Sequence, residues 1–97
     1  MIETRGEARE KCAEYGIPDH MWHAVEQWVI DHELHGDFFK ALVDNDLSEA
    51  IGRADEMNLI AIGQWSKLLY NEFPTPAWGS PEKVKAWIES GEDQADE

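Results

Sequence analysis

Apolar residues recur at helical spacing along nearly the whole chain, and no stretch alternates apolar with polar residues long enough to make a half-buried strand. That pattern confines the fold to packed helices. With 97 residues there is room for one domain around one core. The expected fold class is therefore all-α, a compact single-domain bundle of four or five helices with one long central helix. No apolar run reaches the length of a membrane span, and the opening MIETRGEAREK lacks the apolar stretch of a signal peptide. Cys12 is the only cysteine, so no internal disulfide is expected, which suits a reducing cytoplasm.

Three segments follow. Residues 1–16 read as a polar N-terminal segment, with Glu3 to Glu14 a helix so poor in apolar residues that it should fray. Residues 17–90 read as the helical domain, and residues 91–97, GEDQADE, as an acidic disordered tail. Within the domain, Pro18 and Asp19 suit the first turn of a helix that should run to about His35 and stop at Gly36. Asp37–Asp44 and Asp46–Ala54 each carry an apolar stripe, but the stripes are offset by about a quarter turn if wound as one helix. A break near Asn45 is expected, with Asp46 and Glu49 spaced like a capping box for a fresh start. Asp55 to Phe73 should be the central helix. Leu59, Ile62, Leu69, Tyr70 and Phe73 share one face, which Ala61, Trp65 and Leu68 widen. A Pro-rich elbow then leads to Ser80 as cap, Pro81 in the first turn, and a short helix docking Val84, Trp87 and Ile88.

Charge carries the strongest functional signal. Twenty-one Asp and Glu face eight Lys and Arg, a formal net charge of −13. Direct binding to nucleic acid or an anionic membrane needs a basic footprint that this chain lacks. A basic partner, or a nucleic-acid-binding protein whose cationic groove the chain could occupy, is the expected ligand; solubility alone is the competing explanation of the charge.

The stretch DHMWHAVEQWVIDHELHGD holds all four histidines. Wound as a helix, it places Met21, Trp22, Val25, Trp28 and Val29 on one apolar face with His32 in its midst, and His20 and His23 on the opposite side with Gln27 and Asp31. His20/His23 and Asp31/His35 have spacings open to a metal, but no HExxH pattern or thiolate set accompanies them. The expectation is no metal and no cofactor, with His32 a hydrogen-bonded core ring. DNDLSEAIGRAD resembles a calcium loop at its first, third and fifth positions but has Glu49 where the turn needs Gly and Asp55 where a bidentate Glu belongs. No nucleophile elbow or phosphate loop occurs, so no catalytic residue is assigned. Of the five tryptophans, Trp22, Trp28, Trp65 and Trp87 fall on apolar faces. Trp78, in the elbow PAWGSP, either pins that elbow to the core or anchors a partner.

Two segments, VDNDLSEAIGRADEMN (Val43 to Asn58) and YNEFPTPAWGSPEKVKAWIES (Tyr70 to Ser90), are together similar to a family of small proteins encoded by bacteriophages and prophages. An NDL-EA-GRAD run and a YN-x-x-P…WGSPEKV-x-x-W ending typify that family. The likeness covers roughly Ile17 to Ile88 and hands over no catalytic residues. It implies an origin in phage genomes and a role during infection or lysogeny.

The function expected from these readings is that of a non-enzymatic accessory protein in the host cytoplasm. It would bind and modulate or inhibit a host or phage protein, with carboxylates standing in for phosphates against a nucleic-acid-binding defence complex. Asp44, Asp46, Glu49, Asp55 and Glu56 form the first candidate partner-binding group, Glu26, Asp31 and Glu33 the second, with Trp78 beside them. The alternatives are a self-associating structural or regulatory subunit with an apolar interface, and a small metal-dependent enzyme using His20, His23, Asp31 and His35.

Overall fold

A computed structural model describes residues 1–95. All regular structure in that range is helical: α1 (Arg5–Glu14), a 3-10 turn (Asp19–Met21), α2 (Trp22–Val29), α3 (Asp37–Val43), α4 (Leu47–Arg53), α5 (Glu56–Ile60), α6 (Ile62–Glu72), a second 3-10 turn (Thr75–Ala77) and α7 (Pro81–Ala95). The all-α expectation holds. The helix count is only roughly matched: seven α-helices stand among the described residues where four or five were expected, because α1 holds as a docked helix and the expected central helix is divided in two. The radius of gyration is 12.5 Å, matching the roughly 13 Å of a 100-residue globule, so one body holds all the elements.

A run of aromatic contacts forms the core. Trp28 is fully buried and meets Phe39 edge-on at 6.5 Å and Trp87 at 6.4 Å. Phe39 in turn meets Trp65 at 6.0 Å and Phe73 at 6.4 Å. These contacts tie α2, α3, α6 and α7 together, and each such pair contributes about 0.5–1.5 kcal/mol beyond its area burial. The buried rings keep their polar edges satisfied. Trp28 Nε1 donates to the Ala77 carbonyl at 2.8 Å, and Trp65 Nε1 to Asn58 Oδ1 at 3.0 Å.

The expected helix from Asp19 to His35 stops early. It opens as a 3-10 turn and ends at Val29. At the exit His32 takes a left-handed conformation (φ 60°), uncommon for a non-glycine residue and costing about 1–2 kcal/mol. The cause is tertiary. The Trp28 carbonyl accepts from Trp87 Nε1 at 2.8 Å as well as from the His32 amide at 3.2 Å, and beyond it the Glu33 amide closes the turn on the Gln27 carbonyl at 2.9 Å. The His32 ring stacks on Trp87 at 4.0 Å, with Nδ1 2.7 Å from the Trp87 carbonyl. Gly91 passes so close that an added Cβ would lie 2.4 Å from that of His32.

The expected central helix is two helices. Ala61 (φ −90°, ψ 13°) closes α5 and opens α6, and the Asn58–Trp65 hydrogen bond spans the joint. The wide apolar face is correspondingly not all covered: Leu59 and Tyr70 are exposed. The break near Asn45 does occur, with Asn45 at φ 64° and Asp46 Oδ1 accepting from the Glu49 amide at 3.2 Å.

α1 is docked. Its apolar stripe is narrow, but Ala8 and Cys12, one turn apart, are fully buried, and Ile2 and Ile17 close the two ends. Thr4 caps it by accepting from the Glu7 amide at 3.1 Å. Tyr15 donates to Glu72 at 2.8 Å, fastening α1 to the end of α6. In the segment expected to be a disordered tail, α7 continues to Ala95; residues 96 and 97 lie outside the described residues. No helix of the described residues is long and apolar enough to cross a membrane.

Candidate functional site

The second carboxylate group belongs to the fold. Glu26 is only 4% exposed, held against Arg9, with Arg5 at 3.8 Å. Arg5 also donates to Asp31 at 2.5 Å. The two arginines of α1 thus neutralise Glu26 and Asp31 while pinning α1 to α2, and Glu26 must be withdrawn as a surface residue. Helical spacing could not reveal this, because the cations come from a different helix. Glu33 alone of the three stays exposed without an arginine or lysine partner among the described residues; His35 lies 3.5 Å from it.

The first group divides. The Asp44 side chain is 10% exposed and accepts from Lys40 at 2.6 Å, one turn earlier, so it too is withdrawn from the open surface. Glu49 is exposed but accepts from Arg53 at 2.7 Å, and Arg53 also lies 3.5 Å from Asp37. Asp46 and Asp55 are exposed N-caps of α4 and α5. The Asn58 amide donates to Asp55 at 2.8 Å, and the His20 ring lies 3.0 Å away; the amide first, then the histidine, hold this carboxyl below the usual carboxylate range. Glu56 is exposed. The four exposed carboxylates therefore follow the chain across α4 and into the first turn of α5.

The four residues of the metal reading go separate ways. His20 meets Asp55, His23 lies 4.0 Å from Glu26, His35 faces Glu33, and Asp31 is taken by Arg5. Among the described residues no three His, Cys, Asp or Glu side chains converge as a ligand set. Burial pushes the Cys12 thiol up to about 12, so it is held protonated and unreactive.

An apolar groove lies elsewhere, between α4 and α6. It has a volume of about 390 Å³ and is lined by Leu42, Leu47, Ala50, Leu69, Tyr70 and Trp78 together with polar residues that include Asp46 and Lys67. Leu47 is 55% exposed and Tyr70 79%, so the walls of the groove stay open to solvent. Trp78 is partly buried and packs on the core, and the next amide, Gly79, donates to the Val43 carbonyl at 2.8 Å. The elbow is thus pinned, while the indole lines one end of the groove. Trp22, Trp28, Trp65 and Trp87 all donate their indole N–H to protein oxygens; among the described residues Trp78 makes no such bond. Leu47 and Tyr70 read as core positions by period alone. A second signal was present: Leu47 directly follows a cap, where a first-turn side chain often faces solvent.

Asp46 also borders an adjoining polar hollow of about 230 Å³, which Asp37, Lys40, Asp44, Glu49 and Arg53 share. Four carboxylates there face two cations, and Asp44 Oδ1 has no donor among the described residues. Apolar groove and acidic hollow therefore meet at one residue.

Compared with protein-family models, with curated proteins and with solved structures, the chain matches none.

Proposed function

We propose that this chain is a non-enzymatic accessory protein of phage type that binds a cationic, nucleic-acid-binding protein of the host or the phage and modulates or inhibits it. One observation carries the reading: after internal pairing, the run Asp46, Glu49, Asp55 and Glu56 still presents its carboxylates at the surface of a chain with net charge −13. DNA offers about one charge per 1.7 Å of its axis, and a cationic groove built for that density also attracts clustered carboxylates. The similarity of Val43 to Asn58 to phage-encoded sequences adds a setting, infection or lysogeny, in which blocking a defence complex is useful.

The test is capture from nuclease-treated host lysate, washed in parallel at low and high salt, with the retained proteins identified by mass spectrometry. The reading expects a basic, nucleic-acid-binding protein that leaves in high salt. A partner indifferent to salt, or an acidic one, overturns it. The exposed walls of the α4–α6 groove favour a second reading, a self-associating subunit. That reading requires a mass in sedimentation that rises with concentration.

A further inference from the structure

We infer that the groove between α4 and α6 seats the apolar face of an amphipathic, basic helix of the partner, packing a large side chain between Leu47, Tyr70 and Trp78. This inference rests on the cationic-partner reading and specifies how that partner is held.

The groove has the form such a helix needs. Two helices wall it, its floor of Leu42, Ala50 and Leu69 is apolar, and its volume of about 390 Å³ suits a few anchoring side chains. An amphipathic helix laid in a groove uses anchors at i, i+3, i+4 and i+7, and nonpolar walls give those anchors their affinity. Leu47 and Tyr70 have area still to bury, and Trp78 has an indole N–H to offer an acceptor on the incoming chain.

Charge selects the occupant. At the Asp46 end the groove opens onto the hollow where four carboxylates face only Lys40 and Arg53. Lys40 pairs with Asp44 and Arg53 with Glu49 and Asp37, so the four carboxylates and two cations leave the hollow an excess of two negative charges, with Asp46 the carboxylate that has no arginine or lysine partner among the described residues. Lysines or arginines flanking the apolar face of the partner helix would find acceptors there. A second copy of this chain is the poorer occupant, because it would bring another −13 to the same surface.

The probe is a synthetic helix of about 18 leucines and lysines with leucine at helical spacing, against a peptide of the same composition with its leucines dispersed. Binding to the full chain is read by amide chemical shifts and by titration, for the wild type and for Leu47→Ala and Tyr70→Ala. Both positions are open to solvent, so these variants should stay folded, which the unperturbed spectrum of the rest of the chain checks. The inference expects the patterned peptide to bind more tightly, to shift Leu47, Ala50, Tyr70 and the Trp78 indole, and to lose about tenfold in affinity in each variant. Equal binding of the two peptides with no change in the variants overturns the groove inference and leaves the cationic-partner reading standing. Binding of neither overturns the groove inference, and the salt-washed capture then decides the cationic-partner reading by itself. Shifts in the groove that appear on concentrating the chain alone assign the groove to a second copy and overturn the inference as well.

Discussion

The α1–α2 face and the α4–α5 face carry carboxylates at similar density along the chain, yet they have opposite fates. On the first, Glu26 and Asp31 meet Arg5 and Arg9 from a neighbouring helix, and the charges become part of the packing. On the second, Asp46 and Glu49 meet only near neighbours, a helix amide and an arginine one turn on, while Asp55 holds a helix amide and the ring of the distant His20 rather than an arginine or lysine. Acidity alone therefore does not mark a recognition surface. The sign of what packs across from it does.

The comparison can be broken by removing the cations. In the double variant Arg5→Ala, Arg9→Ala, Glu26 is left buried and unpaired, and unfolding free energy should fall by about 3 kcal/mol in urea titration. A loss under about 1 kcal/mol would show that Glu26 rehydrates, and that the two faces differ less than the packing indicates. A smaller effect is expected where α7 closes over the end of α2. Gly91→Ala places a methyl against His32 and should cost about 1–3 kcal/mol. It should also perturb the Trp87 fluorescence that His32 stacking influences.

Acid tests the structural face in another way. The Tyr15 hydroxyl donates to Glu72, and that bond chiefly holds the carboxyl below its usual range. A carboxyl depressed in the folded state stabilises fully above its unfolded value, near pH 4.3, and loses that contribution as pH falls through its folded value. Melting temperature should therefore drop as pH falls below about 4.3, and Tyr15→Phe should shrink that drop. The smallest stability effect belongs to the open face. Asp46→Asn, Glu49→Gln, Asp55→Asn and Glu56→Gln together remove four charges while asparagine keeps each cap. Stability should change by less than about 1 kcal/mol, and capture of a cationic partner should be lost. If capture persists, the open face is not the binding surface.

Much of the fold was legible along the chain. The offset apolar stripes around Asn45 announced the break that its left-handed conformation makes, and Ser80 before Pro81 marked the start of α7, where the Lys83 amide reaches Ser80 Oγ at 3.2 Å. The helix from Asp19 was overextended because periodicity takes no account of Trp87 and Gly91 packing against the turn at His32. α1 was underrated because two small residues, Ala8 and Cys12, suffice to bury a stripe that a hydropathy pattern barely registers. Of the candidate site, the cap at Asp46 was legible from its spacing to Glu49, whereas the cap at Asp55 and the groove were not. Its walls come from α4 and α6 and its end from the elbow, three segments that no local spacing brings together.

The sequence by itself thus determined the helical class, the caps and breaks, and the excess of negative charge, because these depend on near-neighbour geometry and on counting. Tertiary structure alone decided which charges are neutralised and which hydrophobic side chains remain open. Both depend on what a distant helix places opposite them: Arg9 opposite Glu26 on one face, and solvent opposite Leu47 and Tyr70 on the other.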